Sequence, residues 1–164
     1  MVVVADTGPL RYLVEIGIVD VLAELYGSVL TTTAVIQELK LPHFPADVRE
    51  WAEQTPAWLK IDSPLSVEFL DRLDSGEASA LSLAIERAAD LVLIDERDGT
   101  AVARGLGLVT YGTLGVIALA GARGMLDFAT TIEALATTTQ FRLTAAVIER
   151  ARLRYRELCD SRPH

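Results

Sequence analysis

Short apolar runs alternate along the chain with segments in which apolar positions recur at helical spacing. The runs are rich in β-branched side chains, as is typical of parallel strands buried on both faces, and they cover residues 2–5, 29–31, 59–61, 91–94 and 108–110. Strands that alternate with helices pair in parallel through right-handed crossovers. The pattern therefore predicts an α/β fold, a three-layer α/β/α sandwich around a parallel five-stranded sheet.

Helical spacing predicts the segments between and after these strands. It indicates helices over residues 35–39 and 48–58, and a longer helix that begins at Asp74 or Ser75. Two further helices are expected near the C-terminus, the last over residues 143–158.

The composition gives no sign of a boundary between domains. With 164 residues, 51% of them apolar, the chain can bury one sizeable core. We expect a single domain over residues 1–164, with a core of residues 1–135 and C-terminal helices at residues 136–160. No apolar run approaches the roughly 20 residues of a membrane span, and the N-terminus has no basic leader, so we expect a cytoplasmic protein.

Acidic residues follow two of the predicted strands and lie on two of the helices. Asp6 closes the first apolar run and Asp95 follows the fourth, while Glu38 and Glu77 belong to helical segments. The carboxyl ends of parallel strands share one edge of a sheet, where ligands of such folds bind. Four carboxylates at one edge would repel each other unless a cation offset their charge, and all-oxygen ligand sets suit Mg²⁺ or Mn²⁺. The pattern predicts that these four acids form a metal site.

Each acid also has an explanation without a metal. Asp6 and Asp95 precede helices and are suitable N-caps, which stabilise a helix by about 1 kcal/mol. Asp74 and Glu77 have the spacing of a capping box, and Glu38 is suited to face water. Capping alone does not explain why acids occupy these positions where Ser, Thr or Asn would serve equally well.

The net charge of −8 is unevenly distributed along the chain. Residues 1–141 carry 20 acidic and 9 basic side chains, a net charge of −11, whereas residues 142–164 carry 3 and 6, a net charge of +3. The arginines of the last helix either attract a phosphate backbone or form an ordinary solvated helix end, because their spacing spreads them around the helix.

The sequence does not contain the residue patterns of several other kinds of catalytic site. The one cysteine and two histidines have no zinc-site spacing, and they support neither a Ser-His-Asp nor a Cys-His arrangement. The glycines form no nucleotide-binding loop, and the Asp-x-Asp pair required of a Mg²⁺-dependent phosphatase does not follow the first strand.

Several short motifs, in their order and spacing, resemble those of the PIN-domain nucleases, in particular the branch related to VapC-like toxins of toxin–antitoxin pairs. The resemblance runs from Val2 to about Leu135 and rests on residues 6–10 (DTGPL), 35–39 (VIQEL), 73–78 (LDSGEA), 93–96 (LIDE) and 112–115 (GTLG). It implies a parallel sheet of order 3-2-1-4-5, in which the first and fourth strands are neighbours.

The same resemblance implies the roles of individual side chains. Asp6 and Asp95 would be the central ligands of Mg²⁺ or Mn²⁺, with Glu38 and Glu77 completing the cluster directly or through water. The implied auxiliary residues are two hydroxyls that hold a water or a carboxylate, and one further acid: Thr7, Thr113 and Asp98. The arginines near enough to the predicted site to meet phosphate are Arg11, Arg97 and Arg104.

The implied activity is endoribonucleolytic hydrolysis of RNA by metal-activated water, leaving 5′-phosphate and 3′-hydroxyl ends, in the toxin of a toxin–antitoxin pair. The alternative is a catalytically silent PIN-like module that binds a partner protein, favoured by the acidic body and the few bases near the predicted site.

A group of aromatic residues lies beside prolines and is a candidate surface for binding another protein. Phe44, Trp51 and Trp58 form either a satellite of the core or an exposed patch that binds an antitoxin protein or a second copy of the chain. The resemblance favours association and implies a homodimer.

Overall fold

The computed structural model describes residues 1–163 and contains five short strands in one sheet. The strands are β1 (Val3–Ala5), β2 (Val29–Thr32), β3 (Leu59–Asp62), β4 (Leu91–Leu93) and β5 (Thr110–Tyr111). Their order is β3-β2-β1-β4-β5, and all neighbouring pairs are parallel. This confirms the order that the resemblance implied and places β1 beside β4 at the centre of the sheet.

Helices connect the strands and complete the chain. They are α1 (Thr7–Glu15), α2 (Val21–Tyr26), α3 (Thr33–Leu39), α4 (Ala46–Glu53), α5 (Ser75–Glu86), α6 (Arg97–Gly105), α7 (Thr113–Ala122), α8 (Phe128–Thr138) and α9 (Ala145–Asp160). Every residue of β1 and β4 is buried. Because successive side chains of a strand point to opposite faces, both faces of the central strands are covered, as the predicted α/β sandwich requires. Within residues 1–163, no helix is long and apolar enough to cross a membrane.

Two predicted boundaries are wrong. The strand predicted over residues 108–110 begins only at Thr110, because Gly107 adopts a φ of +78° and the N–H of Leu108 donates to the carbonyl of Ala103, so these residues terminate α6. The helix predicted over residues 48–58 ends at Glu53. A residue that precedes proline avoids the helical conformation, and Pro56 has no N–H to donate.

The two C-terminal helices pack on the body through α7. The carboxylate of Asp127 caps α8 and the hydroxyl of Thr144 caps α9. The rings of Phe128 in α8 and Tyr155 in α9 stack with centroids 4.5 Å apart. The expected division at residue 136 falls inside α8.

The aromatic group near the prolines belongs to the core. Phe44 is buried, and Trp51 and Trp58 are half-buried with ring centroids 6.4 Å apart. The indole N–H of Trp58 donates to Asp20. The group is therefore a satellite of the core, and the prediction of an exposed aromatic patch is wrong.

Candidate active site

Asp6 lies directly after β1 and is 2% exposed. Its backbone N–H donates to the carbonyl of Leu93 over 2.8 Å, which ties the end of β1 to β4. The side chain forms no capping hydrogen bond with α1, and its buried Oδ1 has no hydrogen-bond partner within residues 1–163. Burial raises the pKa of Asp6 well above its usual range; the backbone N–H of Thr7 partly offsets this, and the charges of Glu77 and Glu38 add to it. A buried acceptor without a donor requires a proton or a cation.

Glu38 faces inward from the last turn of α3. It is half-buried, and its Oε2 accepts a hydrogen bond from the hydroxyl of Thr7 over 2.9 Å. Burial raises the pKa of Glu38, whereas the hydrogen bond from Thr7 lowers it. A side chain at Gly76, in the first turn of α5, would collide with the same Oε2. Glu38 is therefore held between the starts of α1 and α5, and the prediction that it faces water is wrong.

Asp95 is held by the first residue of α7. Its Oδ1 accepts from the backbone N–H of Thr113 over 2.7 Å, and its Oδ2 accepts from the hydroxyl of Thr113 over 2.6 Å. The N-cap of the following helix, α6, is Glu96, so Asp95 is not a cap for its own helix. Burial raises the pKa of Asp95 to about 6 even though both hydrogen bonds lower it. A Cβ at Gly8 would lie 2.9 Å from Oδ2, so any larger residue here would require the Asp95 carboxylate or α1 to shift.

Glu77 forms the predicted capping box at the start of α5. Its Oε2 accepts from the N–H of Asp74 over 3.2 Å, and Oδ1 of Asp74 accepts from the N–H of Glu77 over 2.8 Å. Burial first, and then the charge of Asp74, raise the pKa of Glu77 to about 7, and Glu96 and Glu38 contribute further. Glu77 is therefore both a structural cap and a member of the acidic cluster.

Asp6 and Glu38 open onto one small cleft of about 100 Å³ at the carboxyl ends of the strands. Asp74 and Glu96 also line it, although the sequence pattern did not assign them to the site. The signal that could have identified them is their place inside the two motifs that contain Glu77 and Asp95. The remaining lining residues are Thr7, Gly8, Arg11, Tyr12 and Phe44.

The other predicted residues lie outside this cleft or have their charge compensated. Asp98 and Arg97 are exposed in the first turn of α6 and do not line the cleft. Arg11 lines it, but its Nε donates to Glu15 over 3.0 Å. Arg104 lines a separate cleft on the other side of Asp95.

The four predicted ligands have the donor atoms that suit a divalent cation, but their side chains do not converge on one point. Within residues 1–163, no group of three or more His, Cys, Asp or Glu side chains is arranged so that it could hold a metal ion. The reason is local, because both oxygens of Asp95 face Thr113 and Glu77 closes its own helix cap. All four acids offer the hard oxygen donors that Mg²⁺ and Mn²⁺ prefer. The unpartnered Oδ1 of Asp6 is the acceptor that such an ion would satisfy.

Comparison with known proteins identifies the family of the chain. Neither the curated proteins nor the solved structures gave a match. A family model described as DUF3368, a PIN domain, matches residues 2–157. The match covers the whole sheet, all four acids and most of α9, and thus extends beyond the stretch on which the sequence resemblance rested. The chain belongs to the PIN-domain family.

Proposed function

We propose that this protein is a Mg²⁺- or Mn²⁺-dependent endoribonuclease and the toxin component of a toxin–antitoxin pair. PIN domains are generally nucleases that bind RNA and usually use Mg²⁺. The observation that carries the proposal is the buried carboxylate of Asp6, whose Oδ1 has no hydrogen-bond partner within residues 1–163. A second carboxylate, that of Glu38, opens onto the same cleft.

The residues of the cleft have separate tasks in this proposal. Asp6 and Glu38 would hold the cation. Glu77, whose charge acts on both of them, and Asp95, which follows the neighbouring strand β4, would add negative charge. When bound, the cation would lower the pKa of a water molecule and offset the charge of the phosphoryl oxygens. The hydroxyl of Thr7 orients Glu38, and Thr113 fixes both oxygens of Asp95. The start of α1 lies against the half-buried Asp95 and limits where its carboxylate can lie.

The second candidate is a catalytically silent PIN-like module that binds a protein partner. It is favoured by the same finding that no three ligand-type side chains within residues 1–163 are arranged around one point. The two candidates differ in whether metal binding is followed by cleavage.

The test compares RNA cleavage by matched variants in the presence of Mg²⁺ or Mn²⁺. We expect the wild type to yield products with 5′-phosphate and 3′-hydroxyl ends, and chelation to stop the reaction. Four substitutions remove charge while keeping shape: Asp6→Asn, Glu38→Gln, Glu77→Gln and Asp95→Asn. Asp6→Asn and Glu38→Gln should each lower the rate by more than the roughly 10–100-fold that loss of an outer-shell partner costs at metal sites, and Glu77→Gln and Asp95→Asn should each lower it by about that factor.

Asp90→Asn is the matched control. Asp90 lies at the opposite end of β4, where its Oδ2 accepts from the N–H of Val2, and asparagine keeps that acceptor. It should cleave at the wild-type rate. Undiminished cleavage by all four site variants would show that a contaminating nuclease or a different site is responsible.

Metal binding is measured separately by thermal unfolding with Mn²⁺. An ion that binds only the folded state adds about 2.7 kcal/mol to the free energy of unfolding at 100 times its Kd. Asp6→Asn should fold and lose this response. Intact RNA combined with a Mn²⁺ response that Asp6→Asn abolishes would select the silent module.

The proposal includes two protein partners, a cognate antitoxin and a second copy of the chain. The aromatic group does not provide the surface, but the segment that follows edge strand β3 exposes apolar side chains. Leu65 is 98% exposed and Leu70 is 59% exposed. In this proposal these side chains belong to the surface that contacts a partner.

A further inference from the structure

A second cleft lies where Asp95 meets residues that follow β5 and residues of α9. It has a volume of about 340 Å³ and is lined by three arginines together with Asp95, Gly112 and Phe141. Arg104 comes from α6, whereas Arg150 and Arg154 come from α9. The cleft therefore joins a carboxylate of the acidic cluster to basic groups from two separate helices.

The fold holds the α9 arginines at this position. Residues four apart lie on the same face of a helix, so Arg150 and Arg154 project together. Ala151 of the same helix is buried, and the Phe128–Tyr155 stack fixes α9 against the body. A Cβ at Gly121 of α7 would lie 3.3 Å from the ring of Tyr155, which shows how closely α7 and α9 approach.

The charge of the three arginines is largely available to a ligand. Arg104 donates to the hydroxyl of Thr110, a neutral partner, over 3.2 Å. Arg150 forms no ion pair within residues 1–163. Arg154 donates to the hydroxyl of Tyr111 over 3.1 Å and lies 3.4 Å from Glu157 at an exposed position, where an ion pair is weak. A net positive cleft on a body with a net charge of −11 over residues 1–141 attracts an anion to this place in particular.

An aromatic ring at the wall distinguishes the class of anion. Phe141 is half-buried and lines the cleft between α8 and α9. Sites for single-stranded nucleic acid combine a basic groove that follows the backbone with aromatic rings on which bases stack. One edge of the wall is thus aromatic, and Phe141 is held there by an edge-to-face contact with Tyr12 at 4.9 Å between ring centroids.

We propose that this arginine cleft, formed by Arg104, Arg150 and Arg154, binds the phosphate backbone of single-stranded RNA beside the scissile bond. The inference rests on the proposed ribonuclease function and specifies how the substrate is held. The arginines bind phosphates on the Asp95 side of the acids, and Phe141 contacts a base. Guanidinium groups pair with phosphate through two hydrogen bonds, which suits them to fix the register of the strand.

The experiment measures RNA binding apart from cleavage. Fluorescence anisotropy with a labelled oligouridine of about 15 nucleotides, long enough for a single-strand site, is carried out in chelator and in the Asp6→Asn background. The variant Arg150→Gln/Arg154→Gln should weaken binding at least about tenfold, the effect of losing one charge-assisted hydrogen bond. The slope of log K against log salt should become shallower by about 1.4, since each phosphate contact on a single strand contributes about 0.7.

The matched control is Arg152→Gln/Arg156→Gln on the same helix. It removes the same charge and likewise one exposed intrahelical ion pair, Arg152–Glu149 instead of Arg154–Glu157, but neither residue lines the cleft. It should bind as the parent does. If the cleft variant unfolds, Arg104→Gln on α6 repeats the test and should weaken binding in the same direction.

Equal binding by the two double variants would overturn the arginine cleft, as would absence of RNA binding by the parent. The cleavage test detects failure of the proposed function separately. A protein that binds RNA through these arginines but does not cleave it would support the arginine cleft and contradict the ribonuclease proposal.

Discussion

At the scale of single residues, the acids differ in what satisfies their oxygens. Asp95 has two donors from Thr113, Glu38 has the hydroxyl of Thr7, and Glu77 has the N–H of Asp74. Asp6 is the most buried of the four and has the least support. Burial is the largest cause of the raised pKa of every member. In the metal-free protein, ionisation of these four carboxyl groups therefore destabilises the folded state.

Stability should therefore fall as the pH rises through the weakly acidic range. The folded-state pKa values of Asp95, about 6, and of Glu77, about 7, exceed the unfolded values of roughly 4. The folded state binds more protons over this interval, so the contribution to stability is full below about pH 4 and is lost by about pH 7. We expect the metal-free protein to melt a few degrees lower at about pH 7.5 than at about pH 5, since 1 kcal/mol shifts the melting temperature of a chain this size by about 2–4 °C.

Glu77→Gln and Asp95→Asn should each reduce this dependence, and Asp90→Asn should leave it unchanged. Saturating Mn²⁺ should remove it, because the ion binds the charged carboxylates. A melting temperature that rises over the same interval in the metal-free wild type would contradict the raised pKa values.

At the scale of elements, the site is formed where helices begin. The first turns of α1, α5 and α7 all lie against carboxylates, and glycines remove the side chains that would block the approach. The positions are Gly8 beside Asp95, Gly76 beside Glu38 and Gly112 beside Asp95. The positive ends of the helix dipoles also favour negative charge at these places.

Gly8→Ala should separate local stability from site geometry. Alanine favours a helix over glycine by about 0.5–1 kcal/mol, but its Cβ would lie 2.9 Å from Oδ2 of Asp95, whose carboxylate is fixed by Thr113. The displaced carboxylate should weaken the rise in melting temperature with Mn²⁺ and lower the cleavage rate.

Gly105→Ala is the comparison for this change. Gly105 ends α6, and a Cβ there would meet no atom within 4 Å. It should keep the wild-type response to Mn²⁺ and gain stability. Identical Mn²⁺ responses in the two variants would show that the packing of α1 against Asp95 does not matter for the ion.

The elements were more predictable from the sequence than the side-chain arrangement. Apolar β-branched runs identified the strands, and the motifs implied that β1 and β4 are neighbours, which brings Asp6 near Asp95. The orientation of Asp95 depends on Thr113, which is 18 residues away and makes its contact only in the folded chain. Arg104 was predicted to meet phosphate, and attraction of phosphate by the α9 arginines was one of two alternatives. That these arginines meet at one cleft was not predicted, because spacing along α9 does not tell which face the Phe128–Tyr155 stack turns toward Asp95.

At the scale of the whole molecule, the β3 edge of the sheet exposes apolar side chains. β3 is an edge strand in which Ile61 is exposed, and the segment after it exposes Leu65 and Leu70. An edge strand with exposed apolar neighbours is a template for association unless something covers it. We expect this surface to join two copies of the chain.

Light scattering at micromolar concentration should give twice the chain mass of 17.8 kDa. Leu65→Glu/Leu70→Glu should give the monomer mass, because two charges cannot be buried there without partners. Leu153→Glu, at a 48% exposed position on α9, is the control and should remain a dimer. A monodisperse wild-type monomer would contradict the homodimer and leave the antitoxin as the partner for this surface.

The docking of α9 on α7 bears on how a PIN domain of this kind can diversify. The four acids are contributed by the segment between β1 and the start of α6, whereas two of the three cleft arginines arrive only after the sheet is complete. Under the proposed function, the groups for cleavage and those for binding RNA are therefore encoded in separate stretches of the chain. We expect that exchange of α9 would change which RNA is bound and leave the proposed reaction unchanged.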